Sequence, residues 1–199
     1  APPKEPWAYD EAFTDDFRRA VELKYRLMPY IYTQAKISSE TGWPMMRALF
    51  FEFPEDPTAW FIEDEYMLGD ALLVAPLMEE GDRRVVYLPP GLWFDYQTAQ
   101  VYEGGVWHEI AAGEVPCIIL VRHGRALPQA AVARHTGEID WAKLEVSVYV
   151  QYAAHVRMPL CLPGDGELRY VQLNANGGTF TVCADPFDGR VNWTVRQVE

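Results

Sequence analysis

Residues 66–76 read YMLGDALLVAP, and the fold is decided by how this stretch is taken. Tyr66 to Leu77 is a strand-like apolar run, and Gly69-Asp70 breaks or bulges it. Upstream, Met45 to Phe53 (MMRALFFEF) reads as a second unbroken strand. Downstream, short apolar or alternating pieces recur at Arg83–Leu88, Leu92–Tyr96, Val106–Ile110 and Cys117–Arg122. Turn chemistry separates them: Glu80-Gly81-Asp82, Pro89-Pro90-Gly91, Gly104-Gly105 and His123-Gly124. Short strands at regular spacing predict an antiparallel β-sandwich.

A helix precedes this region. Thr14 is placed to cap it, with Asp15 and Asp16 at the positive end of the helix dipole. Phe17, Val21, Leu27, Met28, Ile31 and Ala35 follow at three- to four-residue spacing and make one apolar face. Pro29 removes a backbone donor and predicts a kink, and Gly42-Trp43-Pro44 marks the stop. After a looser stretch at 128–140, Leu144–Tyr149, Glu167–Asn174, Thr179–Cys183 and Val191–Val198 read as a second β segment. Asn176-Gly177-Gly178 and Asp188-Gly189 read there as hairpin turns. The expected organisation is a helical segment (1–42), a proximal β-sandwich (43–128) and a distal β-domain (129–199).

Composition narrows the function. Twenty-nine acids against 17 bases give a net charge of −12, which repels phosphate backbones and anionic lipid. Neither a nucleic-acid nor a membrane partner is expected. With 49% hydrophobic and 23% charged residues the chain has the balance of a globular protein. No signal peptide or membrane span is visible. Cys117, Cys161 and Cys183 are odd in number and widely spaced, so they read as buried hydrophobes in a reducing, cytoplasmic setting. Asn192-Trp193-Thr194 has the form of a glycosylation sequon, read as unused.

Tests for catalytic constellations come out negative. Ser38, Ser39 and Ser147 lie in no nucleophile elbow, and the four histidines lack metal-ligand spacing, so no metal or cofactor is implied. Most acids cluster in turns or on helix faces, as solvated surface does. Asp70 is different, since burial in its apolar run is costly without a partner. Arg47 sits in a comparable run, and an Arg47–Asp70 ion pair or a hydrogen-bond network shared between them would satisfy both. The role expected of this pair is structural.

These runs carry a resemblance. KYRLMPYIY (24–32), PMMRALFFEFP (44–54), YMLGD with LVAP (66–76), YLPPGLWFD (87–95) with Gly104-Gly105, and LVRHG (120–124) appear in the order found in glycoside hydrolase family 31. The chain resembles the C-terminal portion of that family from about residue 5 to 128, and Pro6-Trp7-Ala8-Tyr9-Asp10 together with Met45-Met46-Arg47 looks closest to its bacterial α-xylosidase branch. The resemblance implies the end of a (β/α)8 barrel followed by two small antiparallel β-sandwich domains. It also implies a retaining α-glycosidase of the α-xylosidase or α-glucosidase type, cutting terminal α-linked sugars from oligosaccharides. Its two catalytic aspartates would lie on barrel strands upstream of Ala1. Trp93-Phe94-Asp95 matches the nucleophile segment only by coincidence. The partner expected is the remainder of the barrel or a second copy, set against Phe17, Val21, Leu27, Met28 and Ile31. A competing reading makes the β-domains a sugar-binding module using Trp93, Trp107 or Trp141; a third makes them an assembly domain.

Overall fold

The computed structural model of the chain describes residues 5–152, 154–176 and 179–198. A 3-10 turn at Pro6–Ala8 leads into α1 (Glu11–Arg26) and α2 (Met28–Thr41). Then come β1 (Met46–Arg47), α3 (Leu49–Glu52), β2 (Tyr66–Leu68), β3 (Leu72–Pro76) and β4 (Arg83–Leu88). They are followed by β5 (Leu92–Asp95), β6 (Val101–Glu103), β7 (Val106–Ala111), β8 (Cys117–Arg122) and β9 (Arg125–Gln129). The last five strands are β10 (Lys143–Tyr149), β11 (His155–Leu160), β12 (Arg169–Asn176), β13 (Thr179–Ala184) and β14 (Asn192–Val198). The protein is thus mainly β with an N-terminal helical segment, as the sequence predicts. Among the described residues no helix is long and apolar enough to cross a membrane.

The helical segment departs from expectation in detail. Its cap is Asp10, whose carboxylate accepts from Phe13 N–H at 2.8 Å, while Thr14 sits inside the first turn. Pro29 does not kink one long helix; it falls in the first turn of α2, where its missing N–H costs nothing. The break is at Leu27, and Gly42 ends α2 in the left-handed conformation, φ 77°.

Strands β1-β2-β3-β8-β5-β6 form one sheet in that order, and β4 pairs with β7 in a second. The first sheet is covered on both sides. Met67, Leu73, Ala75, Trp93, Ile118 and Leu120 face Val86, Leu88 and Ile110 of the small sheet. Leu72, Phe94, Ile119 and Val121 face the other way, onto Leu27 and Tyr30 of the helices. Successive strand residues point to opposite faces, so β3 and β8 can bury both faces only by being apolar throughout. That is why residues 72–75 show no alternation.

Gly69-Asp70 does break the run, not as a bulge but as the tip of a β2–β3 hairpin, with Leu68 opposite Leu72. The tip is held from outside: Tyr30 Oη donates to Leu68 O at 2.6 Å and accepts from Ala71 N–H at 3.2 Å. Burial, then the charge of Asp70, push the Tyr30 phenol far above its ordinary range, so it stays protonated and can donate.

The distal half packs β9–β10–β14 against β11–β12–β13. Between them lie Leu144, Val146 and Val148 from one sheet and Val156, Met158, Leu160, Val171, Leu173 and Phe180 from the other. Three strands were missed in the sequence: β6 in the proximal half, and in the distal half β9, which runs into the stretch taken as a linker, and β11. Asp188-Gly189 is a turn but not a hairpin, because β13 and β14 belong to different sheets. The chain leaves β10, builds the opposite sheet and returns, so β14 pairs with β10 in parallel. The other ladders are antiparallel. Gly177 and Gly178 of the remaining expected turn lie outside the described residues.

Gly69 has φ +65°, and a Cβ there would lie 2.5 Å from Gln34 Cδ and closer still to Tyr30 Oη. Gly69→Ala therefore combines backbone strain with displacement of the clamp. We expect a loss of roughly 2 kcal/mol or more in urea unfolding, with α2 and the hairpin losing hydrogen-exchange protection together.

Candidate functional site

Arg47 and Asp70, the expected ion pair, are each paired elsewhere. Arg47, 5% exposed, donates from Nη1 to Glu52 and from Nε to Pro44 O at 2.7 Å. Asp70 takes Arg125 at 3.4 Å and the Gln34 amide at 3.3 Å. The error follows from reading residues 45–53 as one strand. Residues five apart on a strand point to opposite faces, but α3 folds the chain at Leu49–Glu52 and brings Glu52 back to Arg47.

Glu52 is the centre of this cluster. Its second oxygen lies 3.6 Å from Arg122 Nη1, and the Arg122 guanidinium lies over the Phe53 ring, 4.8 Å from its centroid. Burial, then the charge of Arg125, lower the pKa of Arg122, while Glu52 and Asp70 pull it back up. One carboxylate thus ties the chain entering the sandwich to the end of β8. Its role is organisation of charge.

The other buried acids are used in the same way. Asp95 Oδ1 accepts from Gln97 N–H and Thr98 N–H, both at 2.8 Å, and shapes the turn after β5. Glu65 accepts from Tyr87 N–H at 2.8 Å, while its other oxygen is buried with no hydrogen bond. Burial pushes the Glu65 carboxyl up to about 7, although the Tyr87 N–H and Arg84 oppose the shift. Retaining glycoside hydrolysis needs two carboxyls about 5–5.5 Å apart across an open bond-cleavage site. Glu52 and Asp95 are committed to internal donors, so neither is presented in that way.

The three tryptophans considered for sugar stacking separate. Trp93 is fully buried, its indole N–H donating to Pro89 O at 2.8 Å. Trp141 packs on the distal core and on Tyr32, with ring centroids 5.6 Å apart. Trp107 alone is exposed, its ring against Tyr87.

Larger aromatic surfaces lie elsewhere. Tyr9, just before α1, and Phe13 and Phe17 on it form an exposed ladder, with centroids 4.6 and 6.4 Å apart. No residue of α1 is buried. Leu27 was expected on the same uncovered face, but the sandwich core covers it to 4% exposure. A second cluster joins Phe50 to Trp60 at 4.9 Å and to Phe51 at 5.1 Å, beside Trp43. Contiguous exposed aromatics of this kind mark surfaces made to be covered.

Residues 1–34 match the family described as glycosyl hydrolases family 31 TIM-barrel domain, and residues 42–127 match the glycosyl hydrolase family 31 C-terminal domain. The chain is 34% identical over 179 residues to an alpha-glucosidase 2 of Bacillus thermoamyloliquefaciens, covering 89% of this chain but 21% of that protein. It superposes with a TM-score of 0.81 on a family 31 dextranase of Flavobacterium johnsoniae complexed with glucose, at 28% identity, over 89% of this chain and 23% of that one. A family 31 alpha-xylosidase of Xanthomonas citri gives the same TM-score of 0.81 at 29% identity, over 98% of this chain and 23% of the other. The chain therefore spans about a fifth of the alpha-glucosidase it resembles.

Two outcomes are expected of this site. Glu52→Leu leaves Arg47 and Arg122 facing each other without their anion, whereas Arg47→Met leaves Glu52 still paired with Arg122. The glutamate variant should lose roughly 3–5 kcal/mol and the arginine variant clearly less, measured by denaturant unfolding. Glu65 has its pKa raised from 4.5 to about 7, so its contribution to stability is full below pH 4.5 and lost as pH rises towards 7. Glu65→Gln keeps the acceptor for Tyr87 and stays neutral. Its stability relative to the parent should rise across that window, by on the order of 3 kcal/mol at pH 8, read from unfolding curves at several pH values.

Proposed function

Because this chain belongs to glycosyl hydrolase family 31, we propose that it serves as the C-terminal part of a retaining α-glycosidase acting on terminal α-linked glucose or xylose. In this reading the reaction is carried by two carboxylates from strands of the catalytic barrel. This chain supplies the closing helical segment and the two β-domains that buttress it. The observation that carries the reading is the exposed Tyr9–Phe13–Phe17 ladder on α1, within the residues that match the barrel domain. A helix of a (β/α)8 barrel needs one apolar face for its neighbours, and this ladder provides it. Farther along, Leu27 and Tyr30 join the β core, so one helical segment serves both layers.

The partner we assign to the ladder is the rest of the barrel. Burying one such aromatic is worth about 1.5–3 kcal/mol, enough for three of them to fix the β-domains against the catalytic part. The choice between α-glucoside and α-xyloside rests with barrel residues, since the carboxylates of this chain serve its own architecture.

The purified 199-residue chain should release no chromophore above background from 4-nitrophenyl α-glucoside or α-xyloside. Turnover abolished by mutating any single acid of this chain would overturn the assignment of the chemistry to the barrel.

A further inference from the structure

The chain carries 29 acidic residues, yet one exposed face has none among the described outward residues of its strands. Val156, Met158, Val171, Leu173 and Phe180 turn inward from β11, β12 and β13 into the distal core. By strand alternation, His155, Arg157, Tyr170, Gln172, Asn174 and Thr181 therefore project together from the other side of that sheet.

Their arrangement is specific. The Arg157 guanidinium lies flat against Tyr170, with Cζ 3.6 Å from the ring centroid. His155 Nδ1 meets Asn174 Oδ1 at 2.5 Å. The amide oxygen can only accept, so Nδ1 donates, and Nε2 is the second hydrogen-bonding atom of the ring. Gln172 offers both a donor and an acceptor, Thr181 a hydroxyl, and Arg157 a fan of donors fixed in a plane by the ring beneath it.

We propose that this outer face of β11–β12–β13 is a binding surface for a neutral oligosaccharide. An anion would require converging donors, and here donors and acceptors alternate at strand spacing. Alternating donors and acceptors fit vicinal hydroxyls, which both give and take hydrogen bonds. The stacked Arg157–Tyr170 pair supplies the flat, weakly hydrated platform on which a sugar ring lies.

Only the choice of α-linked probes rests on the proposed activity; the face itself is read from its side chains. The test is a titration of the 15N-labelled 199-residue chain with maltoheptaose, an isomalto-oligosaccharide, a xyloglucan oligosaccharide and, as the acidic arm, oligogalacturonate. Binding of a neutral probe should shift amide signals in β11–β13. Tyr170→Ala and Arg157→Ala should each weaken it about tenfold, while Tyr170→Phe, which keeps the ring, should preserve it. Should either alanine variant lose its dispersed spectrum, Gln172→Ala and Thr181→Ala carry the same test. No shift at millimolar sugar, shifts confined to other strands, or tighter and salt-sensitive binding of the acidic probe would each overturn the proposal. None of those results bears on whether the barrel cleaves α-glycosides.

Discussion

Tyr30 Oη is bonded at once to Leu68 O and to Ala71 N–H, at the hairpin tip where the main sheet meets the helices. The tip, with Gly69 at φ +65°, can close only where no Cβ occupies the space that Tyr30 and Gln34 fill. The hairpin therefore depends on α2, and α2 on the hairpin, because a buried phenol that lost either partner would leave backbone groups unpaired. From this contact the rest follows in order. β3 is fixed in register against β8, and β8 ends beside Arg122, which reaches Glu52 and through it Arg47.

The same geometry explains why the helical segment divides its loyalties. α1 ends at Leu27, and Pro29 begins α2 afresh, so the two helices need not share one apolar stripe. α2 turns Tyr30, Thr33 and Gln34 inward, and Thr33 Oγ1 accepts from Cys161 N–H at 3.0 Å in the distal half. α1 keeps its aromatic ladder outside. One short helical segment thus pins both β-domains while presenting a separate surface to the barrel we assign as its partner. The split at Leu27 makes this possible, since a single straight helix would hold both sets of side chains at fixed angles.

Charge is handled differently inside and outside. The exposed pairs, such as Arg19 with Asp16 at 3.1 Å, contribute little because water screens them. Glu52 is mostly buried between two guanidiniums, and there loss of the shared anion is costly because the cations cannot rehydrate in place. Glu65 has only backbone N–H and a distant Arg84, 3.9 Å away, and its raised pKa records that shortage. On the distal outer sheet the Arg157 guanidinium lies against the Tyr170 ring, and the uncharged groups around it can satisfy their hydrogen bonds with water or a sugar.

The sequence by itself determined the strand-rich class, the places where turns fall and the apolar runs of β3 and β8, because burial on both faces leaves no freedom in residue type. It also determined the family, since the segments 24–32, 44–54 and 66–76 keep their order and spacing. Only the tertiary structure decided the partners. MMRALFFEF reads as a strand by local preference, yet Leu49–Glu52 turns helical and aims Glu52 at Arg47, leaving Asp70 to Arg125. Strand β11 alternates polar and apolar residues from His155 to Leu160, and the local signal against it is Pro159, which cannot donate to a ladder; it forms by pairing with β12. The parallel return of β14 beside β10 was equally hidden, because which strands pair is set by the path of the chain around the core. Local periodicity reports which face of a segment is buried; it carries no information about which distant segment does the burying.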